Sequence, residues 1–333
     1  MTMNNKGILY LSNQDVKTVL DLGRAVEITE QALRDHSEGR VIWSTPEDLA
    51  IKPDQGWQSW VTGCALATEP VAGFRIRSIK AAGGSRDLSR PPRGPRRILI
   101  LSDREGGEIR AIMDEDWCHA VRTAAAAAVA MRVLGRRGAG TLAMLGAGDT
   151  ARAAVPVMAK VFALKEIRVT SRTPESRQNY AKEIAAEHGL NVRPVQSTEE
   201  ALSGADLVVS ATTTSMPFVK DAWLAAGITV YSIGKNQEME SEFYKNADKF
   251  VVDSWAHCKN KSDMQRLLKE KFINGKDLYA ELPELLSGKT PARQSDTERI
   301  FIRAIGLVNQ DVALADWIYR SALESGTGTR LPY

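Results

Sequence analysis

The chain has 333 residues, of which 43% are hydrophobic and 26% charged, proportions that indicate a globular protein with a core of normal size. Its 44 basic and 41 acidic residues leave a net charge of +3, which is too weak to indicate nucleic-acid binding. No apolar run is long enough to cross a membrane. The three cysteines do not suggest a disulfide framework, and the four histidines lack the spacing of a metal site. Without an apolar leader at the N-terminus, we expect a cytoplasmic protein with no bound metal.

The first third of the chain predicts a small α+β domain. Residues 8–11 form a short strand pattern, and apolar residues at helical spacing follow up to residue 33, after the capping pair Ser12 and Asn13. The sequence then changes to short β runs at 57–61, 73–79, 98–101 and 109–113. The pair Gly106 and Gly107 predicts a hairpin turn between the last two runs. We therefore expect an antiparallel sheet with helices in this part of the chain.

Residues 85–97 interrupt these strands with a segment rich in proline and arginine. This composition indicates an exposed loop. The loop is either a solvated turn or a lid or rim whose arginines attract an anionic ligand. The role of the segment from Arg86 to Arg97 stays open, and the lack of aromatic stacking residues near it argues against nucleic acid as its partner.

From residue 120 onwards strands alternate with helices, which predicts a doubly wound parallel sheet of the Rossmann type. Helices are expected at 120–134, 150–162 and 174–188, and strands at 141–145, 167–170, 192–195, 207–210, 229–233 and 249–252. A last amphipathic helix is expected at 301–324, packed on the first domain because the Rossmann sheet already has its strands. The predicted fold class is α/β, with a Rossmann domain at 121–304 and a smaller α+β domain at 1–120 with 305–333.

A glycine-rich turn follows the strand at 141–145 and opens the next helix. It consists of Gly146, Ala147, Gly148, Asp149, Thr150 and Ala151. The first glycine permits a tight turn, the second lets the backbone approach a pyrophosphate, and the final alanine allows close helix–strand packing. The N–H groups at the helix start are suited to the phosphates. The turn therefore predicts a bound nicotinamide dinucleotide.

The end of the next strand bears on which dinucleotide is bound. NAD sites usually carry an acidic residue there, whereas this chain has Ser171, Arg172 and Thr173. Arg172 can pair with a 2′-phosphate, and the hydroxyls can donate hydrogen bonds to it. We therefore expect NADP(H) to be preferred, with NAD(H) possible. Arg177 and Arg152 either assist or are solvated helix residues.

Two later segments are expected to reach the nicotinamide end of the cofactor. Thr212, which follows the strand at 207–210, is expected near the nicotinamide ribose. Ile233 and Gly234, at the end of the strand at 229–233, are expected to line the nicotinamide pocket.

Taken together, a set of short motifs resembles the ornithine cyclodeaminase/μ-crystallin family. The motifs are RTAA from Arg122, GAG from Gly146, SRT from Ser171, SIG from Ser232, VDS from Val252, and Gly306 followed by DVALA from Asp311. The resemblance implies a homodimer in which the α+β domain forms the dimer sheet and the substrate wall. It also implies hydride transfer between nicotinamide and the α-carbon of an amino acid or its imine. The members include cyclodeaminases, alanine dehydrogenases, ketimine reductases and opine-like synthases.

The resemblance assigns Arg122 to the substrate carboxylate, which agrees with the bidentate fit of a guanidinium to a carboxylate. It assigns Thr123, beside it, to the cofactor. Three other positions depart from the family pattern. Glu47 stands where a second carboxylate-binding arginine is usual, and Arg75 stands where the family has a catalytic lysine. Arginine stays charged at any working pH, so Arg75 is a poor proton shuttle but a good anion clamp.

The third departure is Asn236, which aligns with the cyclodeaminase aspartate, and an amide cannot act as a general base. Lys80, Lys235 and Asp311 are the nearest candidates to replace the missing proton-transfer groups, or are only structural. Glu47 and Asn236 are candidates for substrate binding, with Arg75 and Arg122.

These departures disfavour ornithine cyclisation and favour imine reduction, which asks for fewer proton transfers. The hypothesis is an NAD(P)H-dependent imine or ketimine reductase, or amino-acid dehydrogenase, acting on a small amino-acid-derived imine. Arg77 adds to the carboxylate-binding character, and Trp57 and Trp60 supply an apolar wall or pack in the core. Two alternatives stay open: a cyclodeaminase with tightly bound NAD, and a non-catalytic NADPH-binding protein like the crystallins.

Overall fold

The computed structural model describes residues 7–52, 57–80, 97–214, 216–234 and 236–332, without the side chains of residues 46–48, 79, 80 and 262. The chain divides into two compact units. The first unit comprises Met1–Asp21, Glu38–Arg122 and Leu307–Tyr333, and the second comprises Leu22–Ser37 and Thr123–Gly306. The sequence places residues 22–37 in the first domain, whereas the helix that they form groups with the second unit.

The strands, numbered along the chain, are β1 (Ile8–Leu11), β2 (Val41–Ile51), β3 (Trp57–Leu66), β4 (Val71–Lys80), β5 (Arg97–Asp103), β6 (Ile109–Asp114), β7 (Thr141–Leu145), β8 (Glu166–Thr170), β9 (Val192–Pro194), β10 (Leu207–Ser210), β11 (Thr229–Ser232), β12 (Lys249–Val252), β13 (Ala280–Glu281), β14 (Ile300–Arg303) and β15 (Thr329–Leu331). The helices are α1 (Asn13–Val19), α2 (Leu22–Ser37), α3 (Asp116–Leu134), α4 (Asp149–Val161), α5 (Pro174–His188), α6 (Thr198–Leu202), α7 (Phe243–Asn246), α8 (Trp255–Cys258), α9 (Ser262–Lys269), α10 (Leu282–Leu286) and α11 (Val308–Ser325).

The first unit is built on a seven-stranded sheet of the described residues, in the order β15-β1-β6-β5-β4-β3-β2. Neighbouring strands are antiparallel except β1 and β6, which are parallel. On β4, Gly73 and Arg75 are buried while Phe74 and Ile76 are exposed, as expected for a strand with one covered face. Helix α11 covers the buried face so closely that a Cβ at Gly73 would lie 2.6 Å from Cγ2 of Val312.

Most of the elements predicted for this unit are present, but the first helix differs from the prediction, and the strands β2 and β15 were not predicted. Ser12 caps α1 through a capping box with Asp15, but the predicted single helix is broken at Leu20, whose φ and ψ are extended. The strand β2 was not predicted. Its register against β3 shifts between Trp43 and Asp48, and this irregularity removes the period-2 alternation by which strands are recognised.

The second unit contains an eight-stranded sheet in the described residues, in the order β13-β12-β14-β11-β10-β7-β8-β9, and all of its pairings are parallel. The chain moves from β7 to β8 on one side and returns to β10 on the other. This reversal marks the edge at which doubly wound sheets bind ligands. The predicted Rossmann fold is therefore confirmed.

The prediction of one long terminal helix from residue 301 is wrong. Residues Ile300–Arg303 form β14 in the middle of the parallel sheet, between β11 and β12, and all four are buried. The helix α11 begins only at Val308, after Gly306 in a left-handed conformation with φ +75°. Burial on both sheet faces explains the error, because such a strand is a continuous apolar run that its periodicity cannot distinguish from a helix.

Within the described ranges, no helix is long and apolar enough to span a bilayer. The three cysteines are free thiols and are buried. The cytoplasmic setting expected from the sequence stays a prediction.

Candidate active site

The turn between β7 and α4, in the second unit, has the geometry of a dinucleotide-binding turn. Gly146 has φ +113°, and a Cβ there would lie 2.6 Å from the carbonyl oxygen of Ala211, so only glycine fits. Gly148 caps α4 in an extended conformation, and no described atom lies within 4 Å of the position that its Cβ would take. The open space and the N–H groups at the start of α4 suit a pyrophosphate.

The rest of the turn is fixed by neighbouring side chains. Ala151 is buried, and its carbonyl accepts a hydrogen bond of 2.7 Å from the Tyr180 hydroxyl. Arg152 donates to the Ala147 carbonyl at 2.9 Å and to Glu183 at 2.7 Å. Arg152 therefore supports the backbone of the turn, whereas Asp149 is exposed and Thr150 half-buried at the helix start.

An exposed arginine stands at the end of β8, where cofactor specificity is decided. Arg172 is exposed, while the Ser171 hydroxyl donates to the Thr173 carbonyl at 3.0 Å and the Thr173 hydroxyl caps α5 by accepting from the N–H of Ser176. Arg177 is buried and donates to the Ser171 carbonyl at 3.1 Å. Arg177 therefore holds the loop in place, and Arg172 is the cation that faces solvent.

Glu238, which belongs to none of the motifs in the sequence, joins the loops after β10 and β11. Its Oε1 accepts from the N–H and the hydroxyl of Thr212, at 2.8 and 2.6 Å. Its Oε2 accepts from the Ser232 hydroxyl at 2.7 Å and from the N–H of Gly234 at 3.1 Å. Ile233, between them, is half-buried and donates its N–H to the Ser210 carbonyl. The buried carboxylate thus fixes Thr212 and Gly234, two of the three residues predicted at the nicotinamide end.

Asn236 is also tied to the protein in the second unit, because its side-chain amide donates to the Thr214 carbonyl at 2.6 Å. The structure therefore gives this amide a backbone partner, and its role toward a substrate stays a prediction. Lys235, next to it, lies outside the described residues.

A cluster of charged side chains occupies the first unit, where β4, α3 and α11 meet. Arg122 donates from Nε to Oδ1 of Asp311 at 2.6 Å. Arg75 donates from Nη1 to Oδ2 of the same carboxylate at 3.3 Å and from Nε to Glu115 at 2.9 Å. All four side chains are buried. Burial disfavours the ionised form of Asp311, but the positive charges of Arg122 and Arg75 outweigh it and hold its pKa well below the usual range.

His119 joins the two arginines of this cluster. Its Nδ1 lies 2.8 Å from Nη2 of Arg75 and 2.9 Å from Nη2 of Arg122. Guanidinium groups only donate, so Nδ1 is the acceptor and the ring hydrogen lies on Nε2. Burial and the charges of Arg122 and Arg75 lower the pKa of His119 well below its ordinary value, so the ring is neutral. In this tautomer the 3.3 Å contact between Nδ1 and Asp311 is not a hydrogen bond.

The spacing of Glu115, His119 and Asp311, with ligand-type atoms within 4.8 Å of one another, could also suit a metal ion. However, Arg75 contacts all three side chains and Arg122 contacts two of them. A metal cation bound between these three side chains would lie next to two positively charged guanidinium groups, which would repel it. The electrostatics favour an anion in place of a cation.

The other predicted residues lie on β2, β3, β4 and α3. The side chains of Glu47, on β2, and Lys80, on β4, lie outside the description, as does most of the arginine-rich loop. Arg77 stacks over the ring of Trp60 at 5.5 Å, and Trp57 is 46% exposed. Thr123 is half-buried on α3.

The sequence did contain a signal for His119 and Glu115. The residues at 115, 119 and 122 are separated by four and three positions, so they lie on one side of the start of α3. The spacing alone shows only a shared face. Recognition of the cluster needs Arg75 and Asp311, which are 40 and 196 positions from Glu115 in the sequence.

Residues 8–326 match the ornithine cyclodeaminase/mu-crystallin family. The chain belongs to this family. Among relatives in the family, the Δ1-pyrroline-2-carboxylate reductase of Bacillus cereus (strain ZK / E33L) is 25% identical over 334 residues, covering 98% of this chain and 100% of the relative. The ketimine reductase mu-crystallin of Mus musculus is 29% identical over 227 residues, covering 67% and 68% of the two chains.

Solved structures of similar proteins have the same fold. The Δ1-pyrroline-2-carboxylate reductase of Thermococcus litoralis, in complex with NADH and L-proline, superposes with a TM-score of 0.89 at 26% identity and covers 97% of this chain and 100% of its own. An archaeal alanine dehydrogenase dimer with bound NAD superposes with a TM-score of 0.87 at 25% identity, covering 98% and 100%. The family suggested by the short motifs is thus confirmed.

Proposed function

We propose that this protein reduces the C=N bond of a small cyclic or acyclic 2-imino acid with NADPH. The single observation that carries the proposal is the state of Arg122. Its guanidinium is buried and anchored by Asp311 and His119, and within the described residues its Nη1 makes no hydrogen bond. A buried, oriented guanidinium with a donor to spare is suited to a carboxylate.

The reaction class agrees with the relatives. The chain is a nicotinamide-dependent oxidoreductase that acts on the C–N bond of an imine or amino acid, as reductases and dehydrogenases similar to it do. When bound, the cofactor supplies the hydride. Gly146, Gly148 and the start of α4 would hold its pyrophosphate, and Glu238 would fix the loops at its nicotinamide end.

The residues of the first unit would bind and orient the substrate. Arg122 would hold the carboxylate, and Arg75 would keep His119 in one tautomer while adding positive charge. An iminium carbon is already electrophilic, so binding and charge placement are the main demands on these side chains. Proton transfer by Lys80, Lys235 or Asp311 stays a prediction. Asp311 is the weakest of the three as an acid, because two guanidinium groups keep it ionised.

Two observations favour reduction over cyclodeamination. Asn236, at the position of the family's catalytic aspartate, is an amide bonded to the Thr214 carbonyl, and an amide cannot accept the substrate proton. Arg75 stands at the family's lysine position with all of its donor nitrogens engaged. A non-catalytic, crystallin-like role is distinguished by experiment, because such a protein would bind NADPH and show no turnover.

The preference for NADPH rests on Arg172. This exposed arginine follows β8, where an acidic residue would contact the ribose 2′-hydroxyl of NAD. The Thr173 hydroxyl, which accepts from the N–H of Ser176, keeps its own hydrogen as a further donor for a 2′-phosphate, whereas the Ser171 hydroxyl would first have to leave the Thr173 carbonyl. The neighbouring structures contain NADH and NAD, so the choice of the phosphorylated cofactor is a proposal about this chain alone.

The second proposed partner is another copy of the chain. Cross-strand neighbours on the uncovered face of the first sheet are apolar, and they comprise Leu49, Val61, Phe74, Ile76, Ile98, Ile100 and Ile112. Leu49 is 59%, Phe74 46% and Ile76 38% exposed. A contiguous apolar sheet face of this kind marks an interface. The dimeric alanine dehydrogenase relative supports a homodimer, and the apolar face is where we propose that it forms.

The function is tested by following NADPH oxidation at 340 nm with a panel of substrates. The panel contains Δ1-pyrroline-2-carboxylate, its six-membered homologue, and 2-oxo acids mixed with ammonia or methylamine. Turnover with at least one imine, and none with the 2-oxo acid alone, is the expected result. Tight NADPH binding without turnover across the panel would favour the non-catalytic role, and ammonia release from ornithine without net NADPH oxidation would favour cyclodeamination.

A further inference from the structure

Glu115 is a buried acid that the proposed reaction does not yet explain. It lies just before α3, and none of its side chain is exposed. Nε of Arg75 is 2.9 Å from each of its oxygens. The single N–H serves Oε2, so Oε1 is left without a hydrogen-bond partner among the described residues. An ionised carboxylate buried with one donor is poorly compensated, and Oε1 is the oxygen on which a proton can reside.

Charged groups face Glu115 from three elements. Arg75 approaches from β4, Asp311 from α11, and Arg122 from α3. Burial raises the pKa of Glu115 to about 8; the positive charge of Arg75 opposes this shift, and the negative charge of Asp311 adds to it. From β5, the carbonyl of Arg97 accepts the N–H of Glu115.

The other titratable groups in the cluster do not change charge near neutral pH. Burial raises the pKa of the Cys118 thiol well above its ordinary value, and Glu115 and Asp311 add to the shift. Burial likewise raises the pKa of Cys64, on β3. His119 stays neutral and Asp311 ionised, as described above. Glu115 is therefore the group whose protonation sets the net charge of the cluster.

The charge of the cluster follows from these states. Arg75 and Arg122 contribute two positive charges and Asp311 one negative charge, so the cluster is +1 when Glu115 is protonated and neutral when it is ionised. A carboxylate bound to a +1 cluster gives a neutral buried site. The same carboxylate bound to a neutral cluster leaves an uncompensated buried negative charge, which is strongly unfavourable.

We propose that Glu115 is a positioning residue that makes carboxylate binding depend on proton occupancy, because the site accepts an anion only while Glu115 is a neutral acid. The inference rests on the proposed function in that it takes Arg122 as the carboxylate-binding group. Glu115 acts through Arg75 and the charge of the cluster, and it does not contact the substrate.

The direction of the pH dependence follows from linkage. A bound anion favours the protonated form of Glu115, so its pKa is higher in the complex than in the free protein. Affinity is then constant below the free value, about 8, and falls as the pH rises above it, by up to about tenfold per pH unit. In the same range each binding event takes up as much as one proton.

The test uses pyrrole-2-carboxylate, a flat carboxylate that does not titrate between pH 6.5 and 9.5, and calorimetry of the full-length protein saturated with NADP⁺. Titrations in two buffers of different ionisation enthalpy give the proton uptake directly, so the result does not depend on any variant. We expect no uptake at pH 6.5, uptake near pH 8.5, and loss of affinity above pH 8. Binding without proton uptake across the range would overturn the proposal.

Two variants and a second probe locate the effect. Glu115→Gln keeps the shape but is always neutral, so its affinity should stay at the low-pH value up to pH 9.5, without proton uptake. Asp116→Asn, one residue later at a half-exposed site paired with Arg97, should keep the pH dependence of the wild type. Pyrrole-2-carboxamide, which carries no charge, should bind without pH dependence. An unchanged pH dependence in Glu115→Gln would contradict the role of Glu115.

These outcomes separate the inference from the proposed function. Failure of the wild type to bind pyrrole-2-carboxylate even at pH 6.5 contradicts Arg122 as a carboxylate site, and both ideas fall. Binding at pH 6.5 that loses no affinity at pH 9.5 leaves the carboxylate site intact and refutes only the coupling to Glu115.

Discussion

At the scale of single residues, Arg122 shows how a charged side chain is prepared for a ligand. Asp311 accepts a hydrogen bond from Nε of Arg122. His119, which has no hydrogen on Nδ1, accepts a hydrogen bond from Nη2 with that atom. These contacts hold the guanidinium plane without using all of its donors. A lysine at this position would keep the positive charge but would lose the planar donors that fix the orientation of a carboxylate.

The first prediction therefore concerns Arg122→Lys. We expect kcat/KM for the imine substrate to fall about 100-fold, because a hydrogen bond to a charged group contributes roughly 1.5–3 kcal/mol. Steady-state kinetics with NADPH measures the loss. NADPH affinity, measured by fluorescence titration, should not change. A variant that retains wild-type kcat/KM would show that Arg122 does not bind the substrate.

The second prediction concerns Arg172→Ala. Loss of the exposed guanidinium should weaken NADPH binding by about tenfold to a hundredfold, since one or two charge-assisted hydrogen bonds to the 2′-phosphate disappear. NADH affinity should stay the same, and it serves as the internal control. Arg193→Ala, an exposed arginine paired with Glu166 on β8, should leave both affinities unchanged. Equal losses for NADPH and NADH would contradict the proposed phosphate contact.

Residue-level prediction was possible where a side chain belongs to a local motif. Gly146 could be assigned because its neighbours in sequence are also its neighbours in the turn. His119 and Glu115 were not found, because their roles arise from contacts with Arg75 on one strand and Asp311 on a distant helix. Arg152 and Arg177 have backbone partners in the structure, which their position on helix faces could not show.

At the scale of elements, the strand–turn–helix formed by β7 and α4 provides two glycines with different requirements. Gly146 needs its positive φ and has the Ala211 carbonyl against its missing Cβ. Gly148 has an ordinary φ of −89° and open space around it. The first glycine is therefore required for the fold of the turn, and the second is required only for a ligand to approach.

The third prediction compares alanine at these two positions. Gly148→Ala should fold with an unchanged Tm but bind NADPH weakly, because the methyl group occupies the approach to the pyrophosphate. Gly146→Ala should lose stability as well as binding, since the left-handed conformation costs an L-residue roughly 1–2 kcal/mol and the Cβ contact adds to this. Thermal unfolding and cofactor titration of both variants are the measurements. Unchanged NADPH affinity in Gly148→Ala would contradict the assigned phosphate site.

The strands β14 and β2 were missed because neither shows the period-2 alternation of a half-buried strand, and the cause differs between them. Ile300–Arg303 is so completely buried that it has no alternation, and the helix that follows it extends the apolar pattern. The strand β2 has lost its alternation to a register shift. The strands β1, β3, β4, β5 and β6 of the half-covered sheet in the first unit were found as short β runs.

At the scale of the whole molecule, the first sheet has one face covered by α11 and one face on which Leu49, Phe74 and Ile76 are exposed. The fourth prediction is that Phe74→Glu converts a dimer into a monomer, because a buried, unpaired charge is placed in the centre of the apolar face. Met216→Glu, at a 69% exposed position of the second unit, is the control. Sedimentation velocity distinguishes the two. A wild-type monomer at micromolar concentration would contradict the proposed interface.

The central claim is that the protein moves hydride from NADPH to the α-carbon of a 2-imino acid. The most direct measurement supplies NADPH deuterated at the transferable C4 position, with Δ1-pyrroline-2-carboxylate, and analyses the product by mass spectrometry and NMR. We expect proline that carries one deuterium at Cα, formed in step with NADP⁺. Absence of deuterium at Cα with every imine of the panel, while the protein still binds NADPH, would contradict it.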